Sequence, residues 1–233
     1  RDAIDRFRER TPKGSGIQIA ALQVKYPQGG EKQLIRALLN REVPMNGLPL
    51  DVGVVVHNVG TVFAIYQAVQ HNRPLMERVV TVTGKKLENP SNFWVRIGTP
   101  IADLIAEAGG VPEGTRKIVS GGPMMGKALK NTDVPVTKGT SGILVIPDDE
   151  ASRGEPKSCI RCGECVDVCP MGLEPHLLMN LTEKSLFERA SREDILTCIE
   201  CGSCSYVCPS HRPLLDYIRF GKSITKKLQS KSA

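Results

Sequence analysis

The feature that most constrains this chain is its cysteine pattern. All eight cysteines belong to two runs with the same spacing, C-x2-C-x2-C-x3-C followed by proline: Cys159, Cys162, Cys165 and Cys169, then Cys198, Cys201, Cys204 and Cys208. In two-cluster iron–sulfur proteins with this spacing, three cysteines of a run bind one cluster and the fourth ligates the other cluster. The pattern therefore predicts two [4Fe–4S] clusters with crossed ligand sets: Cys159, Cys162, Cys165 and Cys208 for one, and Cys198, Cys201, Cys204 and Cys169 for the other.

Disulfides and zinc are the competing uses of these cysteines. Disulfide frameworks are typical of short secreted chains, whereas residues 1–158 contain no cysteine at all. A four-cysteine zinc site needs two C-x2-C pairs, which would leave the third and fourth cysteines of each run as surplus. Cluster ligation accounts for all eight cysteines, and it implies a reducing compartment.

Length, charge and composition limit the other functions of the chain. Its 233 residues are enough for two or three compact units. No apolar run reaches the roughly 20 residues of a membrane span, and the charged first residues do not resemble a signal peptide. The net charge of +6 fits either docking to an acidic carrier or a solvated basic surface, and the few aromatic residues do not alternate with basic ones as in a nucleic-acid platform. Because the chain begins without methionine, we expect it to be part of a longer polypeptide.

Residues 1–72 have an α/β pattern. Apolar runs at residues 17–22 and 51–56 predict strands, the second of them buried on both faces. A helix is predicted over residues 31–40, and another over residues 62–70 with Thr61 as its N-cap. The polar turn at residues 58–61, between a buried strand and a helix, is where α/β folds commonly bind ligands.

Residues 73–147 predict a small α+β sheet. Strands are expected at residues 79–83, 93–97, 116–120 and 142–146, and one helix begins after the N-cap Thr99 and ends at Gly109. The glycine-rich stretch at residues 121–126 lacks the Lys-Ser/Thr of a phosphate-binding P-loop, so a plain turn is favoured over a phosphate or flavin contact.

Residues 148–233 begin with a charged loop and then have a helix-rich composition around the cysteines. His176 and His211 lie close to the cysteine runs, where either could ligate metal or tune a cluster. Surface positions are favoured for both, because eight thiolates already complete two ligand sets. A final helix is predicted over residues 214–228. Its Lys222, Lys226 and Lys227 form either a solvated helix end or a docking site for an acidic partner.

Four stretches in combination resemble one known family. They are residues 25–34, residues 56–61, residues 119–126 and the two cysteine runs. Together they resemble the carboxy-terminal part of the RnfC/RsxC family, the C subunit of the Rnf electron-transport complex, which is related to the NADH-binding flavoprotein subunit of respiratory complex I. The resemblance implies a multidomain α+β protein with three parts: the end of an FMN/NADH-binding α/β domain at residues 1–72, a soluble-ligand-binding (SLBB) β-grasp domain at residues 73–147, and a helical two-cluster ferredoxin domain at residues 148–233.

The resemblance also implies an activity and its site residues. The intact protein would pass electrons between NAD(H), FMN and two [4Fe–4S] clusters within an ion-translocating ferredoxin:NAD oxidoreductase. It would lie peripherally at the cytoplasmic face of the bacterial inner membrane, with other subunits and ferredoxin or a similar carrier as partners. Asn58 and Thr61 are the implied flavin contacts and Glu31 the implied nucleotide contact. Helix capping by Asn58 and Thr61, and a favourable helix-dipole interaction of Glu31, remain the alternatives.

The family's glycine-rich stretch for the FMN and NADH phosphates has no match in this sequence. We expect it to lie upstream, so that this chain alone binds FMN and NAD(H) weakly or not at all. Two other functions remain open. One is the cobalamin-reductase subunit of a bacterial microcompartment, and the other is a non-enzymatic electron-relay or docking module.

Overall fold

The computed structural model describes residues 2–45, 47–152 and 154–232. The chain divides into two compact units, residues 1–56 and residues 57–233.

The first unit contains two short helices. Helix α1 spans Asp2–Arg10 and buries none of its residues, whereas α2 spans Glu31–Leu39 and buries Ile35. The predicted helix over residues 31–40 is therefore confirmed. It ends at Asn40, whose left-handed backbone (φ 51°) lets its N–H bond to the carbonyl oxygen of Arg36. A 3₁₀ turn follows at Pro49–Val52.

Both strands predicted in this unit are wrong. Residues 17–22 and 53–56 have no regular secondary structure, and residues 49–52 form the 3₁₀ turn. A strand is stable only when its backbone groups bond to a neighbouring strand, and the described part of residues 1–56 contains no strand to pair with. The apolar side chains consequently remain accessible, with Ile17 61% and Val55 60% exposed.

Helix α3 opens the second unit and spans Val59–His71. It begins three residues earlier than predicted. Asn58, not Thr61, is the N-cap, because the side chain of Asn58 accepts a hydrogen bond from the backbone N–H of Gly60 at 2.9 Å. The helix ends at Asn72, which is again left-handed.

A five-stranded sheet follows. Its strands are β1 (Glu77–Thr83), β2 (Ser91–Arg96), β3 (Thr115–Ser120), β4 (Lys127–Ala128) and β5 (Gly142–Pro147), in the spatial order β2-β1-β5-β3-β4. Only the β1–β5 pair is parallel. The four predicted strands are confirmed, and β4 is an addition too short to be visible in the pattern.

One helix, α4 (Ile101–Glu107), packs on this sheet. Pro100 rather than Thr99 is its N-cap residue, and no side chain caps it. Ile101, Leu104 and Ile105 are buried against the central strands, where Val80 and Val82 are fully buried. The glycine-rich residues 121–126 form a turn between β3 and β4, as predicted.

In the described residues from 148 onward the regular elements are all helical, with loops between them and a 3₁₀ turn at Ile195–Thr197. The helices are α5 (Asp148–Ala151), α6 (Glu164–Asp167), α7 (Pro175–Glu183), α8 (Phe187–Arg192), α9 (Ser203–Val207) and α10 (Leu214–Ser232). Helix α5 lies where the sequence predicts a loop. Helices α7 and α10 pack against each other through a core that includes Leu178, Leu181, Ile195 and Ile218. Cys169 and Cys198 pack against the same core.

The multidomain α+β fold class predicted from the sequence is confirmed. No helix in the described ranges combines the length and the apolar composition needed to cross a bilayer.

Candidate metal centres and flavin-side turn

The structure brings the eight cysteines together in two sets of four. Cys159, Cys162, Cys165 and Cys208 line one cavity of about 200 Å³. Three of them come from the first cysteine run, around α6, and the fourth is the residue that ends α9. Cys159 and Cys162 are exposed, so this cavity is at the protein surface.

The second set contains Cys169, Cys198, Cys201 and Cys204, which line a smaller cavity of about 20 Å³. Cys201 and Cys204 are buried, at 7% and 8% exposure. This space is closed off from solvent more than the first cavity is. The donor set is nevertheless the same as in the first cavity, four cysteine sulfurs, and it suits an iron–sulfur cluster.

The two sets exchange their fourth cysteines because α6 and α9 pack against each other. Cys169 follows α6 and points to the second cavity, whereas Cys208 follows α9 and points to the first. The arrangement of side chains thus has the crossed pattern that the spacing predicts, and the assignment of these cysteines as cluster ligands stays a prediction.

Burial dominates the electrostatics of the thiols. It raises the pKa of Cys204 to about 12, with additional contributions from the neighbouring Cys198 and Cys201. Burial also raises the pKa of Cys165 and of Cys198. Deprotonating these thiols is therefore costly unless positive charge, such as that of iron ions, is bound beside them.

Backbone N–H groups point at several of these sulfurs. The N–H of Leu173 donates to Cys169 Sγ, and the N–H of Glu200 donates to Cys198 Sγ, both at 3.4 Å. The N–H groups of His176 and Ser205 likewise lower the pKa of Cys165 and Cys204 against the effect of burial. Hydrogen bonds of this kind stabilise thiolates and tune the potentials of clusters bound to them.

Beyond the two sets of cysteines, the structure describes the surroundings of other possible metal ligands. In the part of the chain that the structure describes, no group of three or more His, Cys, Asp or Glu side chains is arranged to hold a single metal ion. His211 is exposed, as predicted, whereas His176 is only partly exposed and lines the first cavity.

Lys222 differs from the exposed lysines of α10, because its side chain is bound within the protein. Its ammonium donates to the carbonyl oxygen of Cys198 at 2.6 Å and to Glu200 Oε1 at 3.0 Å, and its side chain is 22% exposed. Burial raises the pKa of Glu200, but Lys222 and Arg219 together lower it below its usual value. Of the three lysines of the predicted docking site, Lys226 and Lys227 are exposed, and the docking role of this helix end stays a prediction.

The turn implied as a flavin contact borders a large cavity of the second unit. Asn58 and Thr61 line this cavity of about 900 Å³ together with Phe63, Arg78 and Trp94. The rings of Phe63 and Trp94 meet edge to face, with centroids 6.5 Å apart. The volume is in the range of small-molecule sites. Glu31 lies in the other unit, where it is exposed in the first turn of α2.

The capping bond of Asn58 gives a prediction for α3. Replacing Asn58 with Ala should lower the free energy of opening of the helix by about 1 kcal/mol, because the N–H of Gly60 loses its side-chain acceptor. Hydrogen exchange of the α3 amides measures this change. Asn58→Asp is the matched control, since aspartate keeps the acceptor. A larger effect for Thr61→Ala than for Asn58→Ala would show that the cap is misassigned.

Three family models match successive parts of the chain. Residues 1–67 match the Nuo51 FMN-binding domain, residues 79–128 match the SLBB domain, and residues 151–209 match the 4Fe-4S dicluster domain. The third match includes all eight cysteines. These matches support iron–sulfur clusters and FMN as the cofactors.

Similar proteins with curated names cover most of the chain. The C subunit of a proton-translocating ferredoxin:NAD(+) oxidoreductase complex of Clostridium ljungdahlii is 50% identical over 178 residues, which are 76% of this chain and 39% of that protein. The Na(+)-translocating counterpart of Acetobacterium woodii is 43% identical over 221 residues, 95% of this chain and 50% of that protein. The C subunit of an ion-translocating oxidoreductase complex of Yersinia pseudotuberculosis is 46% identical over 219 residues, which are 94% of this chain and 31% of that protein. The chain thus spans half or less of the length of these relatives.

Proposed function

Because the chain belongs to the RnfC family, the C subunits of ferredoxin:NAD(+) oxidoreductase complexes, we propose that it carries the electron-relay part of such a protein. In the intact protein, electrons would pass between NAD(H), FMN and two [4Fe–4S] clusters. The observation that carries this proposal is the convergence of eight thiols into two sets of four within one helical region.

The residues that would hold the clusters follow from these sets. Cys159, Cys162, Cys165 and Cys208 would bind one cluster, and Cys169, Cys198, Cys201 and Cys204 the other. A [4Fe–4S] cluster, when bound, accepts and releases single electrons. The chain supplies the rest: thiolate ligands, backbone N–H donors to sulfur, and the burial of Cys201 and Cys204, which limits the access of water to the second set.

The domain boundaries and the flavin-side residues are part of the proposal. We assign residues 1–72 to the FMN/NADH-binding domain, residues 73–147 to the β-grasp domain and residues 148–233 to the cluster domain. Asn58 and Thr61 would contact the flavin and Glu31 the nucleotide. The cavity beside Asn58 and Thr61 supports a ligand there, whereas the capping bond of Asn58 shows that its side-chain oxygen already has a structural role.

The partners and location are proposed from the relatives, whose names describe subunits of ion-translocating complexes. The chain would work at the cytoplasmic face of the membrane and exchange electrons with other subunits and with ferredoxin or a similar carrier. The exposure of Cys159 and Cys162 supports the approach of a partner to the first set.

The test is anaerobic reconstitution with iron and sulfide. We expect about eight irons and eight acid-labile sulfides per chain, the content of two such clusters, and an EPR signal after reduction with dithionite. FMN should be lost on gel filtration and NADH should not reduce the clusters, because the sequence has no match to the family's glycine-rich stretch. Stoichiometric zinc without an EPR signal would contradict the cluster assignment. Retained stoichiometric FMN would place the flavin site within this chain.

A further inference from the structure

Three charged side chains hold the loop of the second cysteine run. The carboxylate of Glu200 accepts hydrogen bonds from Arg219 Nε at 3.2 Å and from Lys222 Nζ at 3.0 Å. Lys222 Nζ also donates to the carbonyl oxygen of Cys198 at 2.6 Å. All three charged side chains are at most about one-third exposed, with Lys222 the most buried. An ammonium group is therefore fixed on the backbone of a proposed cluster ligand.

The two cysteine runs differ at this point. Arg161 in the first run and Glu200 in the second occupy equivalent positions, and both have a left-handed backbone, with φ of 57° and 59°. Arg161 is exposed to solvent, whereas Glu200 is partly buried between two cations of α10. The loops thus share a backbone conformation, and the second has a partly buried network with one negative and two positive charges.

The glycine-rich turn of the β-grasp region contacts this network. Arg219 Nη2 donates to the carbonyl oxygen of Met125 at 3.3 Å. The carbonyl oxygen of Met124 lies 3.2 Å from the point that a Cβ would occupy at Gly202. The turn therefore contacts the cysteine loop directly and reduces its access to water. Charges act more strongly in such surroundings than at a fully hydrated surface.

Reduction adds one negative charge to a cluster that is already held by four thiolates. Burial opposes this added charge, and Cys201 and Cys204 are among the most buried cysteines of the chain. A fixed cation favours the added negative charge, because the net charge around the sulfurs is one determinant of the reduction potential of a cluster. We propose that Lys222 is a positioning residue that fixes the Cys198 loop and raises the reduction potential of the cluster held by Cys169, Cys198, Cys201 and Cys204. This inference rests on the proposed function.

The test is an EPR-monitored redox titration of reconstituted protein. Carrying out the titration in a Cys159→Ala, Cys162→Ala background removes two ligands of the first set, so that a single transition should be followed. Lys222→Gln should move its midpoint to a more negative potential, whereas Lys222→Arg, which keeps the charge, should stay close to the parent. Lys226→Gln is the matched control, because Lys226 is exposed one turn further along α10, and it should leave the midpoint unchanged.

The variant Glu200→Gln distinguishes an electrostatic effect of these charges on the midpoint potential from a purely structural effect. Removing the carboxylate leaves Lys222 and Arg219 uncompensated, so the midpoint should move to a more positive potential, opposite to the Lys222→Gln shift. If Lys222 and Glu200 had only a structural role, both variants would bind less iron and their midpoint potentials would not shift in opposite directions. That result would overturn the inference. Unchanged midpoints would overturn the inference alone. Absence of any cluster signal in the wild-type chain would overturn the proposed function as well.

Discussion

Replacing Cys165 and Cys208 together with alanine should leave about four irons per chain after reconstitution, half of the content of two clusters. Replacing Cys204 and Cys208 together should leave almost none. The difference arises because Cys165 and Cys208 line the same cavity, whereas Cys204 lines the other. Replacing Cys165 and Cys208 removes two ligands from one set, whereas replacing Cys204 and Cys208 removes one ligand from each set.

The mirror-image pairs provide the matched controls. Cys169→Ala with Cys204→Ala should again retain about four irons, and Cys169→Ala with Cys165→Ala should retain almost none. Each comparison changes the same number of cysteines, so a general loss of folding cannot produce the pattern. Iron and sulfide analysis, with EPR of the reduced protein, gives the counts. If each run instead binds its own cluster, the two classes of pair exchange their results.

The crossed sets could be predicted from the sequence because the spacing of the cysteines is a local feature of the chain. Three cysteines within seven residues share one loop, and the proline after the fourth, Pro170 or Pro209, turns the chain away from it. The structure places the fourth cysteines accordingly. Helices α4 and α10 and the strands β1, β2, β3 and β5 were predicted for a similar reason, since their apolar residues recur with the period of the element that buries them.

The errors concern segments whose structure depends on distant contacts. Residues 17–22 and 51–56 have the apolar composition of strands, but strand formation also requires a partner, and the described residues of the first unit contain none. The cap of α3 was misplaced because Asn58 and Thr61 both have suitable side chains. Only the hydrogen bond to the N–H of Gly60 distinguishes them.

The role of Lys222 could not be predicted from the pattern. Lys222, Lys226 and Lys227 form a basic end of α10 in the sequence, and the helical period does not show which of them contacts the cysteine loop. The contact depends on how α10 packs against α7 and on the position of Glu200. One signal was available: Arg219 and Lys222 are three residues apart, on one helix face, next to the apolar Ile218.

The packing of α10 against α7 also predicts a large loss of stability when Gly221 is replaced. Gly221 lies where α10 crosses α7, and a Cβ at this position would be 2.2 Å from Thr182 Oγ1 and 2.9 Å from Ile195 Cδ1. Thr182 Cγ2 would also be only 3.0 Å from the new Cβ. Thr182 and Ile195 are buried, at 2% and 0% exposure, so neither side chain has free space. The helices would have to move apart.

Gly221→Ala should therefore lower the free energy of unfolding by on the order of 2 kcal/mol, even though alanine favours a helix by about 1 kcal/mol over glycine. Anaerobic urea denaturation of the reconstituted protein, followed by the visible absorbance of the clusters, measures the change. Ser223→Ala is the matched control on the exposed side of α10 and should change stability by less than about 0.5 kcal/mol. Thr182→Ala should recover part of the loss when combined with Gly221→Ala, because it removes both Thr182 atoms that crowd the new Cβ. Equal stability of Gly221→Ala and wild type would show that α7 and α10 are not in close contact at this crossing.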